Sequence, residues 1–163
     1  MSPPPPPTLL LPLLLLPLLL LLSVVADADT DGCPNESWMP FGGRCYLPLL
    51  VPPFQTMSWS DAAKACRTIQ PGSHLPSIHN DAENGAIEIM QGQTTSWLGL
   101  TNFTGNGWAW MDGTEVDYVN WGEDQPDDAY GAEYCTYITL DGTWGDFVCE
   151  EYGSLAICVV PAA

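Results

Sequence analysis

Six cysteines, Cys33, Cys45, Cys66, Cys135, Cys149 and Cys158, constrain the fold of this 163-residue chain more than any other feature. An even count, lying wholly beyond an apolar N-terminal run, predicts an oxidising compartment and three disulfides. Spacing alone does not choose among the fifteen pairings that six cysteines allow. The segment "CPNESWMPFGGRCY" sets two of them around a Pro-Phe-Gly-Gly turn, which predicts a small stapled hairpin.

Residues 1–26 hold no ionisable side chain, and "TLLLPLLLLPLLLLLSVVADA" ends in small residues with an A-x-A or V-x-A pattern. That reads as a secretory signal, cut after Ala26 or Ala28, leaving a secreted, extracellular product with no membrane insertion. A retained anchor is the competing reading, since Leu9 to Val25 approaches the ~17-residue lower limit for spanning. Against it, Pro12 and Pro17 interrupt the run and no basic flank orients it. Residues 27–32 form an acidic leader and residues 33–160 one domain, because about 135 residues suffice for one core and not for two.

The formal charge is -17, and beyond Arg67 the chain contains no Lys or Arg. Nucleic acid is excluded as a partner, because counterion release needs basic side chains against phosphates. Sulfated glycans and anionic lipid surfaces are poor partners for the same reason, whereas divalent cations and neutral ligands are good ones. Simple solubility is the plainer reading of the charge. The stretch "EDQPDDAYGAEYC" sharpens the choice, since its carboxylates accept hydrogen bonds but donate none and have no basic neighbour in sequence. Such a cluster stays hydrated or holds a cation.

Helical signals follow the first hairpin. Ser58 with Asp61 forms a capping box before Ala62, Ala63, Cys66 and Ile69, predicting a helix with Cys66 inward. Asn80 with Glu83 opens a second, whose buried stripe is Ala82, Ala86, Ile87 and Met90 and whose end falls near Gly92. "SWLGL" then reads as a buried strand, "GNGWAWMDG" as a loop, "EYCTYITLDGTWGDFVC" as a hairpin turning at Asp141-Gly142, and "LAICVV" as a central strand.

The Cys33/Cys45 hairpin, two helices, "WLGL", "QPD", "WGD" and the closing "CEEYGSLAIC" together resemble the C-type lectin-like domain in its long form. The resemblance spans residues 33 to 160. It implies an α+β fold, two helices flanking small antiparallel sheets with a long calcium and ligand loop, and disulfides Cys33–Cys45, Cys66–Cys158 and Cys135–Cys149. It also implies a Ca2+ site built from Gln125, Asp127, Glu133 and Asp146, with Pro126 in a cis bond aiming the flanking side chains at one ion. Gly145 stands where the family usually has Asn, so one protein oxygen is lost and calcium binding is expected to be weak or absent. Thr101 and Gly105, where some relatives carry acids, complete no second site.

In the family the Q-P-D order goes with galactose-type sugars, so neutral glycans of galactose or N-acetylgalactosamine type are the expected partners. Gln125, Asp127, Glu133 and Asp146 would contact the sugar, with Tyr130 as the candidate ring against its apolar face. A calcium-independent module binding a protein, a mineral or ice is the alternative. Trp97, Trp121 and Trp144 are expected in the core, Trp108 and Trp110 near the ligand loops. His74 and His79 lack the partners of a zinc site. Asn35 (N-E-S) and Asn102 (N-F-T) are glycosylation acceptors. No nucleophile and base arrangement suggests an enzyme. Monosaccharide binding by one domain is weak, and with no stalk in the sequence, any homo-oligomer must form through the domain surface.

Overall fold

Each of the two helices among the described residues begins where a side-chain oxygen can take up a backbone N–H that the helix leaves free. In the computed structural model, which describes residues 1–2, 32–49, 56–151 and 153–163, α1 spans Trp59–Ile69 and α2 spans Asp81–Gln91. The Ser58 hydroxyl accepts from the Asp61 amide at 3.1 Å, and Asn80 Oδ1 accepts from the Glu83 amide at 2.9 Å. Gly92, with a φ of 67°, ends α2. The leucine-rich run read as a signal or anchor, and all but the last residue of the acidic leader, lie outside the described residues. Among the described residues no helix is long and apolar enough to cross a membrane.

Among the described residues seven strands join the helices: β1 (Met39–Phe41), β2 (Arg44–Pro48), β3 (Ser96–Thr101), β4 (Ala109–Trp110), β5 (Cys135–Ile138), β6 (Trp144–Phe147) and β7 (Leu155–Pro161). Their order is β1-β2-β7-β3-β5-β6, with β4 against β3. The β3–β7 pair is parallel and the others are antiparallel. β7 is the unbroken apolar run, and its central place explains why it needs no polar alternation.

Successive strand residues face opposite sides of the sheet, and two cores follow from that. Trp97 packs with Trp38, Trp59 and the disulfides, while Leu98 and Leu100 pack with Ile87, Trp110, Ile138 and Trp144. Gly99 lies between them because a Cβ there would stand 2.8 Å from the Leu75 carbonyl oxygen. Its amide instead donates to Pro76 O at 2.8 Å, closing the loop before α2 onto β3.

The disulfides are Cys33–Cys45, Cys66–Cys158 and Cys135–Cys149, the set the resemblance implies. The first staples the β1–β2 hairpin, the second ties α1 to β7 across 92 residues, and the third closes the β5–β6 hairpin.

Three expectations are corrected. Ile69, expected on the buried face of α1, is 46% exposed, because the last turn runs past the core that Trp59, Ala62, Ala63 and Cys66 meet. Ala82 is exposed in the first turn of α2, and the buried face there includes Asn84 and Gln91 instead. Both are polar residues with hydrogen-bond partners far along the chain: Asn84 Oδ1 accepts from the buried Trp144 Nε1 at 2.8 Å, and Gln91 Nε2 donates to Thr139 O at 2.6 Å. The segment read as loop contains β4, and Trp110 is buried in the core.

Candidate metal and ligand site

The site hangs on the β5–β6 hairpin. Register pairs Thr136 with Asp146 and Tyr137 with Gly145, while Glu133 lies two residues before β5. The loop carrying Gln125 to Asp128 folds back over this hairpin. The Gln125-Pro126 bond is cis, and Asp124 and Asp128 on either side have positive φ, at 62° and 45°. Aspartate tolerates that region better than most side chains, which is one reason acids flank this turn.

Backbone amides then hold the carboxylates in place. The Asp127 and Asp128 amides donate to the two oxygens of Asp146, at 3.1 and 3.0 Å. The Ala129 amide donates to Glu133 Oε2 at 2.7 Å, and the Glu133 amide to Asp128 Oδ1 at 2.9 Å. Gln125 Oε1 accepts from the Asp146 amide at 3.0 Å. Carboxylate oxygens of Asp127, Glu133 and Asp146 lie within 4.8 Å of one another. Glu133 and Asp146 are each only 4% exposed, while Asp127 is open to solvent. The two ion pairs among the described residues, Arg44–Glu83 and His79–Asp117, involve none of the three.

Burial raises the Glu133 pKa, and the charges of Asp146, Asp127 and Asp128 push it further against the pull of the Ala129 amide. Like charges brought this close in a partly desolvated place favour a cation. The donor set fits Ca2+, which takes ~6 to 8 hard oxygens, since each carboxylate keeps lone pairs beyond those its backbone partners use.

A cavity of about 190 Å³ opens beside the cluster, lined by Trp108, Pro126, Asp128, Glu133, Asp146 and Asn102 among others. With this geometry, the comparison with known proteins is decisive: residues 55–160 match the family model described as Lectin C-type domain. The chain belongs to the C-type lectin family. This lectin is 35% identical over 130 residues to C-type Lectin CRL of Crotalus ruber ruber, spanning 74% of this chain and 93% of that one. It resembles the mouse scavenger receptor C-type lectin carbohydrate-recognition domain with a TM-score of 0.68 and 33% identity, over 80% of this chain and 98% of that one. It also resembles a calcium-independent type II antifreeze protein, with a TM-score of 0.69 and 29% identity, over 80% and 95% of the two chains.

In this lectin the expected residues divide. Asp127, Glu133 and Asp146 converge, and Gln125 sits against Asp146 with its amide oxygen already hydrogen bonded. Tyr130 is 76% exposed and lines a different cavity, of about 440 Å³, with Phe147, Val148 and Glu151. Trp97 and Trp144 are fully buried and Trp121 is half-buried, packing at 5.9 Å on Trp144. Trp108 borders the ligand loops as expected, and Trp110 does not. Thr101 is buried and Gly105 exposed. His79 meets Asp117, but among the described residues the acidic cluster is the one grouping of ligating side chains close enough to hold a metal. Asn35 is exposed, whereas Asn102 borders the cavity and its Oδ1 accepts from the Gly107 amide at 3.2 Å.

Two residues escaped the sequence reading. Asp128 ties the loop to Glu133, and the doubled Asp after Pro126 is the signal that could have revealed it. Tyr137 faces Gly145 across the hairpin, and only the strand register shows that.

Proposed function

We propose that this C-type lectin is a secreted, calcium-dependent carbohydrate-binding protein without enzymatic activity, with a preference for galactose-type sugars. The convergence of Asp127, Glu133 and Asp146 carboxylates within 4.8 Å, without a basic partner among the described residues, carries the reading. A bound Ca2+ would supply charge balance for these acids and a hard centre that attracts adjacent sugar hydroxyls. The chain itself sets the polarity of the rim. Gln125 Oε1 is engaged by the Asp146 amide, which leaves its NH2 to donate, while Asp127 can only accept. That asymmetry supports the galactose-type reading of the Q-P-D order. Tyr130, on the outside of the loop, offers an exposed ring to the apolar face of a pyranose. Asn35 and Asn102 are proposed glycan acceptors.

Isothermal titration in millimolar CaCl2 tests the proposal. Galactose and N-acetylgalactosamine should bind with millimolar affinity, mannose more weakly, and chelator or Asp127→Asn should abolish the signal. Mannose binding as tightly as galactose would refute the specificity. Gly145, which offers no side-chain oxygen, and the likeness to a calcium-independent antifreeze protein favour a second reading, an ion-free module that meets ice or mineral. Thermal hysteresis that persists in chelator would support it.

A further inference from the structure

The two glycosylation sequons lie in different parts of the molecule and differ in what a glycan on them would meet. Asn35 is exposed between Cys33 and β1, on the margin of the sheet opposite β6 and the acidic loop. Asn102 directly follows β3, and its amide donates to Tyr134 O at 2.9 Å, one residue from Glu133. It is half-buried and lines the cavity of about 190 Å³ together with Asp128, Glu133 and Asp146.

The Asn102 side chain is also held in one orientation. A backbone N–H can bond only to the oxygen of a side-chain amide, and the Gly107 amide donates to Asn102 Oδ1 at 3.2 Å. The Asn102 carbonyl accepts from the Gly105 amide at 3.2 Å, which fixes the same turn through the main chain. Nδ2, the atom that carries an N-glycan, has no hydrogen-bond partner among the described residues, so substitution there breaks no bond of the fold. Phe103 and Thr104, the rest of the sequon, are exposed. Asn102 is therefore free at the one atom that glycosylation uses, and tied at both its oxygens and its main-chain amide.

We propose that an N-glycan on Asn102 is a gate on the neighbouring acidic site: the glycosylated chain is closed to glycan ligands and the unmodified chain is open. The gate rests on the secreted, carbohydrate-binding reading above. In the modification, Nδ2 bonds to C1 of the first N-acetylglucosamine of a lipid-pyrophosphate-linked oligosaccharide. The C1–O bond to the pyrophosphate breaks, the lipid pyrophosphate leaves with that electron pair, and Nδ2 releases one proton. The product is a bulky group rooted in the cavity wall. At about 190 Å³ the cavity lies below the ~300 Å³ at which ordinary ligand pockets begin, so it has no room for this glycan and a second sugar together. A glycan on Asn35, at the other margin of the sheet, leaves the site open.

The test uses the full chain secreted from a glycosylating host, with occupancy of each sequon read by peptide mass spectrometry. Thr104→Ala removes the sequon and keeps Asn102, Thr104→Ser keeps both, and Ser37→Ala removes the sequon at Asn35. In saturating CaCl2 the wild type occupied at Asn102 should bind methyl galactoside about 10-fold more weakly than T104A, the factor for a site open one-tenth of the time. T104S and S37A should match the wild type.

An unoccupied Asn102 in the wild type overturns the gate alone. Equal galactoside affinity of occupied wild type and T104A does the same and leaves the lectin reading intact. A gain in S37A as large as that in T104A also overturns it, because any glycan would then weaken binding. No galactoside binding by either wild type or T104A overturns the gate and the lectin reading together. If T104A melts lower than T104S, wild type produced with glycan transfer blocked takes its place, and no gain in affinity there overturns the gate.

Discussion

Glu133 is the residue through which acidity reaches the site. Its folded pKa lies above the ordinary glutamate value, chiefly from burial and then from Asp146, Asp127 and Asp128. A group raised in this way contributes stability below its unfolded pKa and loses it as pH rises through the folded value. The calcium-free protein should therefore melt at a higher temperature near pH 5 than near pH 7, and Glu133→Gln should remove most of that difference in a calorimetric scan. Calcium binding has the opposite sign, because the ion competes with the proton. Titrations from about pH 7 to pH 5 should show calcium affinity falling before ordinary carboxylates titrate, with Glu133→Gln at least ~10-fold weaker at pH 7. At this scale much of the site was legible. Asp127 and Glu133 stood out as acids beside a proline with no nearby base, whereas Asp146 was implied only by the resemblance of "WGD" to the family's triplet. Tyr137 did not stand out, because in one dimension it is a strand residue among others, and its meaning comes from the glycine across the hairpin.

The elements were legible where capping chemistry and hydrophobic period agreed, as at Ser58 and Asn80. They were misread where a polar residue faces inward. Asn84 sits on α2 yet closes a hydrogen-bond circuit with the hairpin that bears Asp146: it accepts from Trp144 Nε1 at 2.8 Å and donates to Gly142 O at 2.9 Å. No hydrophobic pattern predicts such a side chain, since its burial depends on partners about sixty residues away. Asn84→Ala leaves the indole N–H unsatisfied and should cost about 2 to 3 kcal/mol in urea unfolding. Asn120 still donates to Gly142 O at 2.8 Å, so the turn itself should survive. The third disulfide acts at the same scale. Cys135–Cys149 pins the hairpin beneath the acidic loop, so its selective reduction should speed amide exchange in residues 127 to 133 before exchange in α1 changes. Equal protection in both states would count against this.

For the whole molecule, net charge and cross-linking oppose each other. A chain at -17 repels itself, while Cys66–Cys158 closes a 92-residue span worth ~4 to 5 kcal/mol in the chain-entropy account. Added NaCl should raise the melting temperature gradually by screening. Calcium at the same ionic strength should raise it further, by about 2.7 kcal/mol of stabilisation at one hundred times the dissociation constant, and Asp127→Asn should cancel the excess. The strand order carries one more consequence. The Ala163 amide donates to Gly32 O at 2.9 Å, so the two ends of the described domain meet beside the β1–β2 hairpin. β6, with the acidic loop above it, forms the opposite margin of the sheet. A leash attached before Gly32 or after Ala163 would thus grip the domain from behind, and copies fastened side by side on a common support would all face outward.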